Sequence, residues 1–189
     1  MNQNDFKREL ESLKAYRETR SRLADEVLAD PSLYPTLLSI CFEFDNDVSS
    51  RACWILEFVS YKKLEWLLPH ISEFSLNLPK FKKDSAIRPI AKIIQLLCIA
   101  SIKKGTPLIK DNLSDNVLER FAEANFDWLI SNQKVAVKAY AMRSLFLLGK
   151  QFDWIYPELK LTLEKDYAKH SAAYKAAARD ILKQIEKSA

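Results

Sequence analysis

Glycine is almost missing from this chain, with 2 residues in 189, where an ordinary soluble protein carries roughly 7%. Hairpin turns, phosphate-cradling loops and dinucleotide-binding turns draw on glycine for positive backbone dihedrals or close approach to a ligand. Its scarcity argues against those folds, whereas an all-helical chain does without it. Cysteine is sparse too: Cys41, Cys53 and Cys98 each sit in an apolar run, with no CxxC pair. They read as small buried hydrophobes of a reducing compartment, not as disulfides or metal ligands. The two histidines, His70 and His170, lie far apart in the chain and form neither a triad nor a metal set. GxSxG, HExxH, GxxxxGK[ST] and the Ser-Ser-x-Met-Pro loop of the fumarase class are all lacking. No catalytic residue, cofactor or metal is therefore expected. The N-terminus, "MNQNDFKRELESLKAYRE", is charged from Asp5 onward, unlike a secretory signal. No apolar run approaches the roughly 20 residues that span a bilayer. The expectation is a cytoplasmic protein without a membrane partner.

What remains is a chain with 48% hydrophobic and 29% charged residues, the balance of a folded protein. Its length suits one domain or a short run of stacked repeats. A net charge of +4 permits an acidic partner or nucleic acid without demanding either. Residues 4–29 place Phe6, Leu10, Leu13, Leu23 and Val27 near helical spacing, which predicts one amphipathic helix ended by "DPS". Beyond it, "SRACWILEF" (50–58), "IRPIAKIIQ" (87–95), "VKAYAMRSLF" (137–146) and "YKAAARDIL" (174–182) each open with a base and continue at helical spacing. The bases Arg51, Arg88, Lys138 and Lys175 recur at intervals of 37, 50 and 37 residues, a period typical of stacked helix pairs. An apolar-periodic segment precedes each, at 33–47, 64–76, 117–131 and 152–166. The long middle interval holds "SIKKGTPLIKDNLSD" (101–115), an insertion that reads as a loop, either a plain connector or a partner-facing element.

This alternation resembles the HEAT-repeat family, whose units carry an early Pro, an Asp-containing turn, and a second helix opening with Val, Arg and Ala. The first unit fits best, through Pro35, Asp45, Asp47, Val48, Arg51 and Ala52; the third keeps Val135, Lys138 and Ala139; the second places Pro89 where Ala is usual. The resemblance implies an all-α, right-handed α-solenoid of about four HEAT-like helix pairs over 31–189, behind an N-terminal capping helix at 1–30. It further implies a non-catalytic scaffold that binds another protein or an acidic segment through its concave or edge surface.

In such a stack the second helices share one face. The candidate binding residues are the four bases, Arg51, Arg88, Lys138 and Lys175, reinforced about one turn later by Lys92, Arg143 and Arg179, with Tyr140 and Tyr174 as surface aromatics. Two readings stay open for the bases: pairing with the turn acids, as Arg51 with Asp45 or Asp47, or a ligand-binding stripe. The stripe supports an alternative function, nucleic-acid binding on a basic concave face, as in the HEAT-like alkylpurine DNA glycosylases. Those enzymes also use an Asp at the centre of the groove, and the second helices here offer only Asp180, near the end. Trp66, Trp128 and Trp154 occupy related places in their units and read as inter-repeat packing.

Overall fold

The computed structural model describes residues 3–44, 46–165 and 167–188. Among them the elements are helical, with no strand. The α-helices are α1 (Gln3–Ser12), α2 (Arg17–Ala29), α3 (Tyr34–Cys41), α4 (Asp47–Lys62), α5 (Ile71–Asn77), α6 (Asp84–Cys98), α7 (Pro107–Lys110), α8 (Asp115–Ile130), α9 (Val135–Leu148), α10 (Ile155–Glu164) and α11 (Ala172–Glu186). The four base-opened segments fall inside α4, α6, α9 and α11. These form one continuous layer, since α4 packs on α6, α6 on α9 and α9 on α11. On their other side α3 packs on α4, α8 on α9, and α10 on both α9 and α11.

The N-terminal segment departs from the single helix expected for 4–29. It is two helices, α1 and α2, with residues 13–16 between them. The apolar stripe is interrupted there: no apolar residue in register links Leu13 to Leu23, both of which are buried. In the gap the Thr19 hydroxyl donates to the carbonyls of Lys14 and Tyr16. Because the chain turns, α2 packs on α4 and extends the second-helix layer by one member.

Proline shapes the 64–80 region. Pro69 and Pro79 each lack a backbone donor; the expected helix over 64–76 is divided into a 3₁₀ segment at Leu64–His70 and the seven-residue α5, and a further 3₁₀ turn follows it at Leu78–Lys80. Helix α4 begins where Asn46 accepts the Ser49 N–H (2.6 Å), an N-cap. Helix α11 begins in the same way on Ser171, which accepts from the Tyr174 N–H.

Helix α6 ends in a π-helical turn at Ile99–Lys103, where the Lys104 N–H reaches back to the Ile99 carbonyl (2.9 Å). Gly105 follows at φ +62°, a left-handed conformation that glycine alone adopts without strain. The insertion at 101–115 is anchored, for Ile109 and Leu113 are buried and α7 packs against the 64–70 turn. Asp84–Lys103 forms 20 continuous helical residues, long and apolar enough to cross a bilayer. That differs from the sequence expectation; here 61% of the apolar window is buried inside the protein, the position of a core helix between α4 and α9.

The second glycine has a different task. A Cβ at Gly149 would stand 2.2 Å from the ring of Tyr156, which stacks on Phe146 with ring centres 5.8 Å apart. Close approach, not dihedral freedom, requires glycine here. Gly149→Ala is expected to cost about 1–3 kcal/mol through overpacking, read as a fall in the urea midpoint; an unchanged midpoint would mean that the tyrosine swings aside freely.

Candidate functional site

The second-helix layer carries most of the candidate residues, but it sorts them into three groups. At its centre α6 and α9 bring Arg88, Lys92, Tyr140 and Arg143 together with Glu57 and Tyr61 of α4. The Lys92 ammonium lies 5.0 Å from the Tyr140 ring centre and donates to Gln95 Oε1 (3.0 Å). Burial pulls it below the ordinary lysine range; Glu57 opposes that shift and Arg143 adds to it. The Tyr61 hydroxyl donates to Glu57 Oε1 (2.6 Å), and burial first, then Glu57, raises its pKa.

At the far end α9 and α11 form a second group. Lys138 lies 5.9 Å from the ring of Tyr174, and burial lowers its pKa. Tyr174, expected as a surface aromatic, is only 2% exposed. His170 stacks on it with ring centres 3.7 Å apart. The ring position one turn into α11 faces inward against α9, so it is part of the core. Lys175 lends its carbonyl to the Tyr167 hydroxyl (3.2 Å), and Arg179 is exposed.

Arg51 leaves the row altogether. Its guanidinium donates to the backbone carbonyls of Leu10 (3.3 Å) and Glu11 at the C-terminal end of α1, the negative end of the helix dipole. Of its two expected partners, Asp45 lies outside the described residues, as does the turn residue Asp166. Asp47 pairs instead with Lys83 (2.9 Å), which holds its carboxyl below the ordinary range, Arg51 contributing only a lesser share. A ladder of ion pairs between units therefore exists, but other lysines form it. Lys83, just ahead of α6, reaches Asp47 at the start of α4, and Lys134, just ahead of α9, reaches Asp84 at the start of α6 (3.1 Å). The sequence signal was a lysine immediately before each of these helices.

The tryptophans divide similarly. Trp66 meets Tyr34 edge-on (5.5 Å) and Trp154 stacks on Phe126 (5.8 Å), each an aromatic of the preceding unit's first helix. Trp128 is buried at the end of α8. Trp54 belongs to the second-helix layer. Pro89 sits inside α6 and has no N–H to offer the carbonyl four residues back, that of Ser85. The indole N–H of Trp54 takes that carbonyl instead (2.8 Å). So one proline frees an acceptor, and the acceptor fixes a ring from the neighbouring helix.

Arg20 of α2, one charge among many in "RETRSRLADE", completes this end. Its guanidinium carbon lies 5.7 Å from the Trp54 ring centre and 5.4 Å from that of Phe58. Only the packing of α2 on α4 brings it there.

Among the described residues no group of His, Cys, Asp and Glu could hold a metal ion. The three cysteines are buried, and burial pushes the Cys98 thiol up to about 12. Stacked second helices with paired first helices define a helical-repeat protein. A sequence model of the HEAT repeat domain matches residues 6–185, and the chain belongs to that family. The match takes in the α1–α2 hairpin as well as the later pairs. No curated protein and no solved structure matches the chain.

Proposed function

We propose that this HEAT-repeat chain is a non-catalytic scaffold that receives an acidic segment of a partner protein on its second-helix face, the stack turning as a short right-handed solenoid of about four pairs. The carrying observation is the pairing of rings and cations along that face. Arg20 lies over the half-buried rings of Trp54 and Phe58, and Lys92 over half-buried Tyr140, with Lys138 beside the buried ring of Tyr174. Beside them Arg88, Arg143 and Arg179 are exposed, and among the described residues none of the three pairs with a carboxylate. Such a face offers apolar area and unneutralised charge together, which suits a peptide with alternating acidic and apolar side chains.

Nucleic acid is the less favoured ligand. A duplex backbone presents a charge about every 1.7 Å of helix axis and calls for a strip of one sign, but Glu57, Asp84 and Asp180 are interspersed among the bases. The test is fluorescence anisotropy with a labelled glutamate-rich peptide and a labelled oligothymidylate of equal charge, each across a salt series. The peptide is expected to bind more tightly, and Arg88→Ala, Lys138→Ala and Arg143→Ala together are expected to weaken it about tenfold or more. Tighter oligonucleotide binding, with a steep salt slope that the triple variant flattens, would favour the nucleic-acid reading instead.

A further inference from the structure

Between α2, α4 and α6 the same face deepens into a cleft of about 490 Å³, lined by Arg20, Trp54, Glu57, Asp84, Arg88 and Lys134 among others. Its floor is preset, because the bond from the Trp54 indole to Ser85 holds the ring in place without any ligand. One wall is preset too. The Arg20 guanidinium carbon lies 5.7 Å from the Trp54 ring centre and 5.4 Å from that of Phe58, and its Nε is buried with no hydrogen-bond partner. A guanidinium packed near rings still carries its N–H donors in its own plane, directed outward from the edge. Arg20 and Arg88 both line the cleft, and an acceptor placed there would pair with their outward N–H groups.

The charges select the acceptor. Lys134 and Asp84 neutralise each other at 3.1 Å. What is left is Arg20 and Arg88 against Glu57, itself hydrogen-bonded by Tyr61. A single negative charge balances that set. A dianion would add excess charge beside Glu57 against an indole wall, where desolvated charge is expensive.

We propose that this cleft is a carboxylate pocket, in which one Asp or Glu side chain of the partner lies over Trp54 and is gripped by the N–H edges of Arg20 and Arg88. The pocket rests on the proposed docking of an acidic segment and names its anchor point. Arginine forks match carboxylates geometrically, so the anchor fixes the position of the segment along the stack as well as adding affinity.

The test uses the full chain labelled with ¹⁵N, titrated with N-acetylated, C-amidated hexaglutamate at low salt. The Trp54 indole N–H and the Arg20 Nε–H are the reporters. Both signals are expected to shift saturably. Arg20→Gln and, separately, Arg88→Gln are expected to weaken binding about 10- to 100-fold, with Arg20→Lys recovering little, while Arg179→Gln at the far end changes it less than about twofold. Hexaglutamate that binds both glutamine variants as tightly as the wild type, with the Trp54 signal still in its native position, overturns the pocket and leaves the wider docking face standing. Failure of hexaglutamate to bind the wild type overturns both. If an oligothymidylate shifts the same signals with the same dependence on Arg20 and hexaglutamate does not, the cleft takes a phosphodiester and the carboxylate assignment is wrong.

Discussion

Replacing Phe121 by alanine is expected to remove about 3–5 kcal/mol of stability, a large part of the roughly 5–15 kcal/mol that holds a domain together. Phe121 of α8 is wholly buried and meets Phe74 of α5 edge-on, with ring centres 6.4 Å apart and planes at 85°. The loss is large because of what α5 is. It has only seven residues, with 3₁₀ turns on both sides, and a helix that short is not stable from its own hydrogen bonds. Side-chain packing holds it, and Phe74 at 0% exposure is the deepest of its contacts with α8. Urea unfolding followed by circular dichroism checks this: the midpoint should fall sharply with the slope unchanged. A loss below about 1 kcal/mol would show that the first-helix side repacks around the cavity, contrary to the close packing usual in protein interiors.

The second large effect is expected at Arg51. Changing it to methionine keeps most of the apolar stem and removes the donors to the Leu10 and Glu11 carbonyls. Hydrogen bonds to a charged group contribute roughly 1.5–3 kcal/mol, so α1 should open about 10- to 100-fold more often. What then holds α1 is its apolar face, Phe6 and Leu10, and surface pairs such as Lys7 with Glu43 (2.9 Å), which contribute little. Hydrogen exchange is the measurement. The amides of α1 should lose protection while those of α9 and α11 keep theirs, because these lie at the other end of the stack. Uniform loss across the chain would instead make Arg51 a determinant of global stability.

These two residues mark how far the sequence could be read. The helical-repeat architecture was legible because burial repeats: Ala52, Ile55, Leu56 and Val59 on α4, or Ile87, Ile90, Ile94 and Leu97 on α6, show helical spacing directly. Where spacing lapsed, so did the reading. The break between α1 and α2 lies among the nine residues between Leu13 and Leu23, mostly polar and with no apolar residue in register, and the 3₁₀ turns around α5 depend on where Pro69 and Pro79 fall. In the candidate site, Arg88, Lys92, Tyr140 and Arg143 were legible as neighbours because they share a face of adjacent second helices. Arg51 and Tyr174 were not, since the partners that decide them, the end of α1 and the face of α9, are set by packing between units. Arg20 was invisible for the same reason: among the charges of α2, only a contact 34 residues further on, at Trp54, distinguishes it.

The bond between Trp54 and Ser85 also bears on how the stack responds to force. Apolar contacts between helices are non-directional, so a joint made of them alone permits small rotations at little cost. At the α4–α6 joint the indole bond acts together with the bond from Ser85 Oγ to Ser50 Oγ (3.0 Å) and the pair Lys83–Asp47. Directional bonds resist twist. If the stack is regarded as a coil spring, this is one of its stiffened turns, joined on one side by the Lys134–Asp84 pair at the α6–α9 joint. A proline that shortens a helix's hydrogen-bond ladder by one rung thus hardens the assembly to which that helix belongs.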